Sequence, residues 1–149
     1  MNIAFEKRGI MKYYIGNKMT GIPFFNAPWF DKTADALRRW RKPEGDEFFN
    51  PVDGNRERGM DPMLYPDGIR QGGTPYRPDA MLRIELGADW AWIAKHSDGM
   101  IAGPLWRRSP GTISEIACHQ ALRLPVWELD DFVQWGLGAY PLLPLRWEA

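Results

Sequence analysis

The chain alternates between short runs of apolar residues and longer segments in which apolar residues recur every three or four positions. The short runs predict β-strands, because neighbouring β-branched and aromatic residues suit a buried strand. These runs are 12–16, 47–50, 100–102 and 125–129. The longer segments predict helices at 28–41, 79–95 and 130–137, and a further helix that begins at Ser109 or Thr112 and extends to about Leu124. Because strands and helices alternate, the pattern predicts an α/β fold with a parallel sheet and right-handed crossovers.

The stretch at 51–78 does not fit this alternation. It contains five prolines, five glycines and no convincing period, so it is either disordered or a lid over a functional site. Its arginines and tyrosines could pair with anions or stack on a planar ligand. These residues are Arg56, Arg58, Arg70, Arg77, Tyr65 and Tyr76. We expect a flexible N-terminal extension at 1–11 and a single domain at 12–149 that carries this long irregular loop.

The composition excludes several classes of protein. A chain of 149 residues is the usual size of one domain. Nineteen basic residues balance nineteen acidic ones, and the pI is near 6.7, so nothing attracts a nucleic-acid polymer or an anionic membrane. The single cysteine, Cys118, excludes an internal disulfide framework and suits a reducing cytoplasm. The sequence shows no metal-ligand cluster and no apolar run of membrane length. We therefore expect a soluble cytoplasmic protein without a bound metal.

Two loops have the character of anion-binding sites. The first follows the first strand and contains Gly16, Lys18 and Gly21, so its backbone amides either cradle a phosphate or simply form turns. The second lies between the third strand and the next helix, whose N-terminal cap is Ser109 or Thr112. A helix N-terminus offers unpaired N–H groups and a positive dipole end, which both favour an anion.

Two carboxylates are candidates for chemistry. Glu115 stands in the first turn of the helix, where it is either catalytic or joined to Thr112 in an S/T-x-x-E capping box. Asp89 shares a helical stripe with apolar residues, where a carboxylate is costly unless it is paired, hydrogen-bonded or facing a cavity. It therefore either bonds to nearby backbone or acts in catalysis. His119 lies one turn beyond Glu115 and either contacts it or forms an exposed pair with it.

Three fragments resemble one family in their order and spacing. The run YIGNKMTGIPFFN resembles the YISGPMTG opening of small bacterial and phage proteins of the nucleoside 2-deoxyribosyltransferase-like superfamily. FFNPVD resembles their second-strand segment, and SPGTISEIACHQALRLPV resembles their catalytic helix and the following strand. The resemblance covers most of residues 12–128 and is weakest at 51–78. It implies a flavodoxin- or Rossmann-like three-layer α/β sandwich around a central parallel sheet of about five strands.

The resemblance also implies a chemistry and the residues that perform it. These proteins cleave or exchange the N-glycosidic bonds of nucleosides or nucleotides. The glutamate that matches Glu115 is their nucleophile at C1′ of the sugar, and the aspartate that matches Asp89 handles the proton of the base. Six residues before the nucleophile, the members that use nucleosides tend to have aspartate, whereas the 5′-monophosphate hydrolases have serine, as this chain does at Ser109. A hydroxyl can donate to phosphate, whereas a carboxylate would repel it.

The substrate and phosphate site is expected where these motifs meet. Its expected members are Gly16, Asn17, Lys18, Met19, Gly21, Ser109, Gly111 and Thr112. Because Asn17 and Met19 stand where the hydrolases usually carry serine and arginine, Lys18, Arg107 or Arg108 would supply the positive charge.

The expected reaction is hydrolysis of a nucleoside 5′-monophosphate to free base and sugar phosphate. Loss of the base leaves an oxocarbenium-like C1′, so an ionised carboxylate must stabilise or trap it while a protonated group assists the departing base. Glu115 and Asp89 take these roles, and no cofactor is needed. Two alternatives stay open, a deoxyribosyltransferase that exchanges bases and a non-catalytic nucleotide-binding module. The apolar tail at 140–147 is hard to leave in water, so we expect a homodimer.

Overall fold

Four strands form one parallel sheet in the computed structural model, which describes residues 9–69 and 80–135. The strand order is β2-β1-β3-β4. The strands are β1 (Lys12–Gly16), β2 (Glu47–Phe49), β3 (Gly99–Ala102) and β4 (Val126–Glu128). The helices are α1 (Ala27–Trp40), α2 (Pro51–Glu57), α3 (Ala80–His96), α4 (Pro110–Ala121) and α5 (Leu129–Trp135). The prediction of a flavodoxin-like α/β fold is confirmed, with four strands in the described residues where about five were expected.

Helices cover both faces of the sheet and make three layers. Side chains of β1 alternate between the faces, so Tyr13 and Ile15 point to one core cluster and Tyr14 points to the other. The α-helical residues in the first cluster are Ala27, Phe30, Ala34, Leu37, Val52 and Phe132, from α1, α2 and α5. Those in the second cluster are Ile93 and Ile116, from α3 and α4. Because both faces are buried, the strands are runs of apolar residues rather than alternating ones.

The chain reverses its direction across the sheet between β1 and β3. From β1 it passes through α1 to the edge strand β2, whereas from β3 it passes through α4 to the opposite edge strand β4. The loops after β1 and β3 therefore diverge at the carboxyl ends of two neighbouring strands, which is where sheets of this type bind ligands. Hydrogen bonds from Gly103 N to Gly16 O (2.7 Å) and from Leu105 N to Asn17 Oδ1 (3.0 Å) join the two loops there.

The loop before α1 has an unusual backbone. Phe24, Phe25 and Asn26 all have positive φ, between 52° and 62°, a region that residues with a side chain rarely adopt. Asn26 occupies the N-cap position, but its side chain makes no capping bond and instead donates to the Lys18 carbonyl at 2.9 Å. The Asn26 side chain therefore does not cap α1, because its amide holds the loop after β1.

The segment 51–78 is not wholly irregular, which corrects the sequence-based expectation. It begins with α2, where Asn50 Oδ1 accepts from Val52 N at 3.0 Å and Pro51 occupies the first turn. This is an ordinary N-terminal signal for a helix, and the many later prolines and glycines of the segment obscured it. Residues 70–78 lie outside the described residues. At the other end of the chain Met11 is buried in the core, so the folded part begins before residue 12.

The loop after β1 and the loop after α2 are hydrogen-bonded to each other. Gly21 N donates to Gly68 O at 2.9 Å, and Phe24 N donates to Tyr65 O at 3.0 Å. Gly68 has a φ of +70°, and a Cβ built on it would overlap the Ile22 carbonyl. Glycine is therefore required at this position both for its backbone conformation and for the close approach of the two loops.

Replacing Gly68 by alanine should destabilise the fold through this contact. Gly59 provides the matched control, because its φ is +83° and an added Cβ would meet nothing within 4 Å. Gly59→Ala should cost about 1 kcal/mol for the left-handed backbone alone. Gly68→Ala should cost clearly more, about 2–4 kcal/mol, because the loops must also separate. Urea unfolding of both variants measures the difference, and equal losses would mean that the loop contact contributes nothing.

Candidate active site

Glu115 faces the sheet beside the end of β1. Its side chain is 5% exposed, and its Oε2 accepts a hydrogen bond from the Tyr14 hydroxyl. A Cβ on Gly16 would lie 3.5 Å from Glu115 Oε1, so the last residue of β1 passes directly against the carboxylate. The capping-box alternative is wrong, because α4 begins at Pro110 with Ser109 as its cap and Thr112 N bonds to Ser109 Oγ at 3.1 Å. Glu115 is then too far into the helix to cap it.

Asp89 belongs to the same buried group of side chains. It is 6% exposed on α3, and its negative charge reaches both Glu115 and the Tyr14 hydroxyl. Burial raises the pKa of Glu115 well above its ordinary value, the charge of Asp89 raises it further, and the hydrogen bond from Tyr14 opposes both. The pKa of Tyr14 is raised chiefly by burial and then by the charges of Asp89 and Glu115.

These interactions make the two carboxylates titrate as a pair. Two negative charges in one buried site repel each other, so the charge of one carboxylate makes the other harder to ionise. Tyr14 donates to Glu115 and thereby favours the charge on that residue. An arrangement that opposes the ionisation of both carboxylates at once suits chemistry that needs one anion and one proton donor.

The contact between α3 and α4 fixes the separation of the two carboxylates. Trp90, the neighbour of Asp89, donates from Nε1 to Ser114 Oγ at 3.1 Å. Ser114 Oγ in turn donates to the Gly111 carbonyl at 2.5 Å. Each carboxylate is therefore one residue away from a hydrogen bond that joins the two helices.

Aromatic rings hold Tyr14 in place. Its ring stacks on Phe49 of β2 at 5.5 Å between centroids, and Phe49 stacks on Trp92 of α3 at 4.4 Å. The His119 ring lies on another side of Tyr14, with its centroid 6.1 Å away. A ring packed on several sides has few other rotamers, so the direction of the Tyr14 hydroxyl is set by packing as well as by Glu115.

His119 is fully buried and contacts the backbone of Glu115 rather than its carboxylate. Its Nδ1 lies 2.8 Å from Glu115 O, and its Nε2 lies 2.6 Å from Ser97 Oγ. Burial lowers the pKa of His119, so the ring is neutral. A carbonyl can only accept, so Nδ1 carries the proton of the neutral ring. The Ser97 hydroxyl lies within hydrogen-bond distance of both His119 Nε2 and the Gly99 carbonyl (3.0 Å). The expectations of a side-chain contact or an exposed pair are both wrong, because His119 faces the sheet.

The predicted anion-binding residues divide into two groups. Ser109 Oγ accepts from Thr112 N and from Thr112 Oγ1, at 3.1 and 2.8 Å, so its own proton can be donated to an anion. Lys18 Nζ donates to the Arg108 carbonyl at 3.3 Å and is therefore close to the N-terminal end of α4. Gly111 lies in the first turn of α4, where an added Cβ would lie 3.4 Å from Leu86 Cδ2. Gly16 connects this group to Glu115, because a Cβ added there would lie 3.2 Å from Thr112 Cγ2 and 3.5 Å from Glu115 Oε1.

The second group supports the loops. Asn17 is buried, and its Oδ1 accepts from Lys18 N at 2.9 Å as well as from the loop after β3. Met19 packs against the core cluster on the other face of the sheet. The Gly21 amide donates to Gly68 O. The backbone and side-chain groups of these residues are thus occupied by the protein itself.

The side chains that the sequence suggested as sources of positive charge for the site are Lys18, Arg107 and Arg108, and those of Lys18 and Arg107 point to different parts of the protein. The Arg107 guanidinium lies over the Trp106 ring, 4.4 Å from its centroid, and its Nη1 is 3.4 Å from Glu128 Oε1. Arg107 is therefore directed to the end of β4 rather than to Glu115. Lys18 differs from Arg107 and Arg108 in that its side chain makes a hydrogen bond that joins the loop after β1 to the loop after β3.

Sequence reasoning missed Tyr14 and Glu85, and it named Arg58 only as one of several arginines that could pair with an anion. Tyr14 was interpreted only as part of a strand. Arg58 donates from Nε to Glu85 Oε2 at 2.9 Å, and a second bond runs from Nη2 to the same oxygen. Glu85 is 3% exposed and lies one helical turn before Asp89 on the same face of α3. The i, i+4 spacing to Asp89 was a signal that could have identified Glu85 from the sequence.

Comparison with protein-family models, curated proteins and solved structures finds no match to this chain. Within residues 9–69 and 80–135 no three His, Cys, Asp or Glu side chains are grouped so that they could hold a metal ion. No helix in the same ranges is long and apolar enough to cross a membrane. The assignment of function therefore depends on the geometry of the carboxylate pair.

Replacing Glu115 by glutamine should stabilise the fold, and the gain should depend on pH. The raised pKa means that the folded state binds a proton that the unfolded state has lost, so stability falls as the pH rises from the ordinary glutamate value of 4.5 through the folded-state value. Glutamine resembles the protonated form. Glu115→Gln should therefore have a higher free energy of unfolding than the parent at pH 8 and nearly the same at pH 4.

Urea unfolding at the two pH values measures this effect. Glu47→Gln is the matched control, because Glu47 is exposed on β2 and its ion pair with Lys12 (3.7 Å) lies at the surface. Its effect should stay within about 0.5 kcal/mol at both pH values. A gain for Glu115→Gln that is the same at pH 4 and pH 8 would contradict the raised pKa.

Proposed function

We propose that this chain is an N-glycosidase that hydrolyses nucleoside 5′-monophosphates and belongs to the nucleoside 2-deoxyribosyltransferase-like superfamily. The observation that carries the proposal is the pair of buried carboxylates, Glu115 and Asp89, held around the Tyr14 hydroxyl at the carboxyl end of β1. Burying two carboxylates side by side costs stability. A fold keeps such a pair when the chemistry of a site requires it.

In the first step Glu115 attacks C1′ of the sugar. The bond from C1′ to the base nitrogen breaks as the bond from C1′ to the Glu115 oxygen forms, and the proton of Asp89 passes to the departing base. The buried surroundings favour this step, because the negative charge of Glu115 meets the positive charge that develops at C1′. The hydrogen bond from the Tyr14 hydroxyl favours the ionised form of Glu115 and directs its carboxylate.

In the second step water releases the sugar. Asp89, now ionised, takes a proton from water as the water oxygen attacks C1′, and the bond to Glu115 breaks. The products are the free base and the sugar 5′-phosphate, and the carboxylate pair regains its single proton. All charges and protons are supplied by the two carboxylates and water, so the mechanism needs no cofactor.

The first turn of α4 supports the choice of a phosphorylated substrate. Ser109 offers a hydroxyl proton at the positive end of a 12-residue helix, and Lys18 brings a charge to the same end. A phosphate bound there would leave C1′ one to two helical turns away, beside Glu115. The proposal includes a homodimer and a cytoplasmic location, as the sequence suggests; the tail at 140–147 lies outside the described residues.

The catalytic assignment predicts a large loss of activity on removing either carboxylate. Release of free base from a panel of ribo- and deoxyribonucleoside 5′-monophosphates can be followed by liquid chromatography. Glu115→Gln should lower kcat by about 10³-fold or more, and Asp89→Asn by about 10²–10⁴-fold, the usual range for a general acid. Glu47→Gln should keep the activity of the parent. Failure of the parent to cleave any monophosphate, or full activity in Glu115→Gln, would refute the assignment.

Ser109→Asp should change the preferred substrate. Aspartate caps a helix as well as serine does, so α4 keeps its N-terminus, but the new carboxylate repels a phosphate. We expect the ratio of kcat/KM for a nucleoside 5′-monophosphate to kcat/KM for the matching nucleoside to fall about tenfold or more. Steady-state kinetics on both substrates measure the ratio, with Ser109→Thr as the control that keeps the hydroxyl. An unchanged ratio in Ser109→Asp would argue against phosphate binding at this turn.

The two alternatives are separated by simple additions to the same assay. Adding a second free base diverts sugar into a new nucleoside or nucleotide if the enzyme is a deoxyribosyltransferase. Binding of a monophosphate without any release of base identifies a non-catalytic nucleotide-binding module.

A further inference from the structure

Glu85 has one carboxylate oxygen that the protein leaves unused. Its Oε2 receives both hydrogen bonds from the Arg58 guanidinium. Its Oε1 is buried and has no hydrogen-bond partner among the described residues. A buried acceptor without a partner is costly, because it has lost water and gained nothing in exchange. Such an atom in a candidate site indicates a position where a ligand donates.

Glu85 lies next to the carboxylate pair. It precedes Asp89 by one turn on the same face of α3. The pKa of its partner Arg58 is raised chiefly by the hydrogen bond to Glu85, and the charge of Asp89 also contributes. Glu85, Arg58 and Asp89 therefore form one continuous set of charges.

The packing of α3 on α4 shows on which side of the site Glu85 lies. Leu86 lies against Gly111 and Trp90 bonds to Ser114, so the two helices run side by side in the same direction. Glu85 is thus level with the first turn of α4. Helix α3 contacts both α2 and α4, and Glu85 is bonded to Arg58 at the end of α2, whereas Ser109 caps α4, which leads to the opposite edge of the sheet.

This position corresponds to the base of a bound nucleotide. The base and the 5′-phosphate leave the sugar ring from opposite ends. A nucleotide with C1′ at Glu115 and its phosphate at Ser109 therefore directs its base over Asp89 and towards Glu85.

We propose that Glu85 Oε1 accepts a hydrogen bond from the exocyclic amino group of the base, and that the enzyme consequently prefers amino-bearing bases to their keto counterparts. The inference rests on the proposed nucleotide hydrolase activity. An ionised carboxylate can only accept, so an amino group binds to it whereas a keto oxygen is repelled. Arg58 is essential to this selection, because it fixes Oε2 and so keeps Oε1 directed to the base.

The test compares two pairs of substrates that differ at this one group. The parent enzyme should have higher kcat/KM for cytidine than for uridine 5′-monophosphate, or for adenosine than for inosine 5′-monophosphate, by about 10–100-fold. Ribo- and deoxyribonucleotides are tested alike. A ratio below about threefold in both pairs would overturn the inference without any variant.

Glu85→Gln should reverse the preference. The Arg58 guanidinium only donates, so it holds the carbonyl oxygen of the new side chain and leaves the amide N–H₂ directed to the base. A donor then stands where an acceptor stood, and the amino-to-keto ratio should fall at least tenfold. Glu57→Gln is the matched control, because Glu57 is exposed and its charge also reaches Arg58. It should leave the ratio unchanged.

A purely structural role for Glu85 gives a different result. In that case Glu85→Gln would lower kcat/KM for all four substrates equally, and this outcome would overturn the inference while the hydrolase remains. If the parent binds the monophosphates without cleaving them, the hydrolase proposal fails and the same ratios are measured as dissociation constants by calorimetry. If the parent neither binds nor cleaves any of them, both proposals fail together.

Discussion

The structure depends on one costly arrangement, the burial of two carboxylates around a single tyrosine hydroxyl. Asp89 and Glu115 come from different helices, and neither could be removed from water so completely without a compensating partner. Tyr14 provides one for Glu115, and protonation of either acid would relieve the repulsion between them. The continuous aromatic packing of Tyr14, Phe49 and Trp92 keeps this partner in place.

The sheet topology explains why the pair lies where a ligand can reach it. The reversal of chain direction between β1 and β3 opens the sheet at its carboxyl edge, and the small residues Gly16 and Gly103 let the backbone of both strand ends approach their neighbours. A Cβ on Gly103 would lie 2.5 Å from the Asn17 side chain. Glu115 lies on α4, the helix that begins at the same edge, so the proposed anion site and the acid pair both depend on one feature of the fold.

Much of the fold could be predicted from the sequence, because apolar runs and helical stripes are local signals. The bounds of β1 agree with the prediction, and those of α1, α3 and α5 agree within two residues. The burial of Asp89 followed from its place on an apolar stripe. The orientation of α4 could not be predicted in this way, because Glu115 and His119 face the sheet through partners that are distant in sequence, Tyr14 and Ser97. Because α4 begins at Pro110 with Ser109 as its cap, Glu115 lies too far along the helix to form a capping box with Thr112. No local pattern in the sequence distinguishes this start from one at Thr112. The proposed function came from the resemblance of the sequence to a known family. The structure adds the geometry of the acid pair.

The hydrogen bonds between the loop after β1 and the loop after α2 have a consequence for cooperativity. Gly21, Phe24 and Gly68 take part in backbone bonds that run from one loop to the other, so neither loop can detach without breaking bonds of its neighbour. Segments joined in this way open as one unit and should exchange their amide hydrogens with solvent at a common rate. The loop that carries Lys18 and the chain that leads from Arg58 therefore share a single opening equilibrium. When the loop after β1 is ordered, the backbone hydrogen bonds therefore also order the loop after α2.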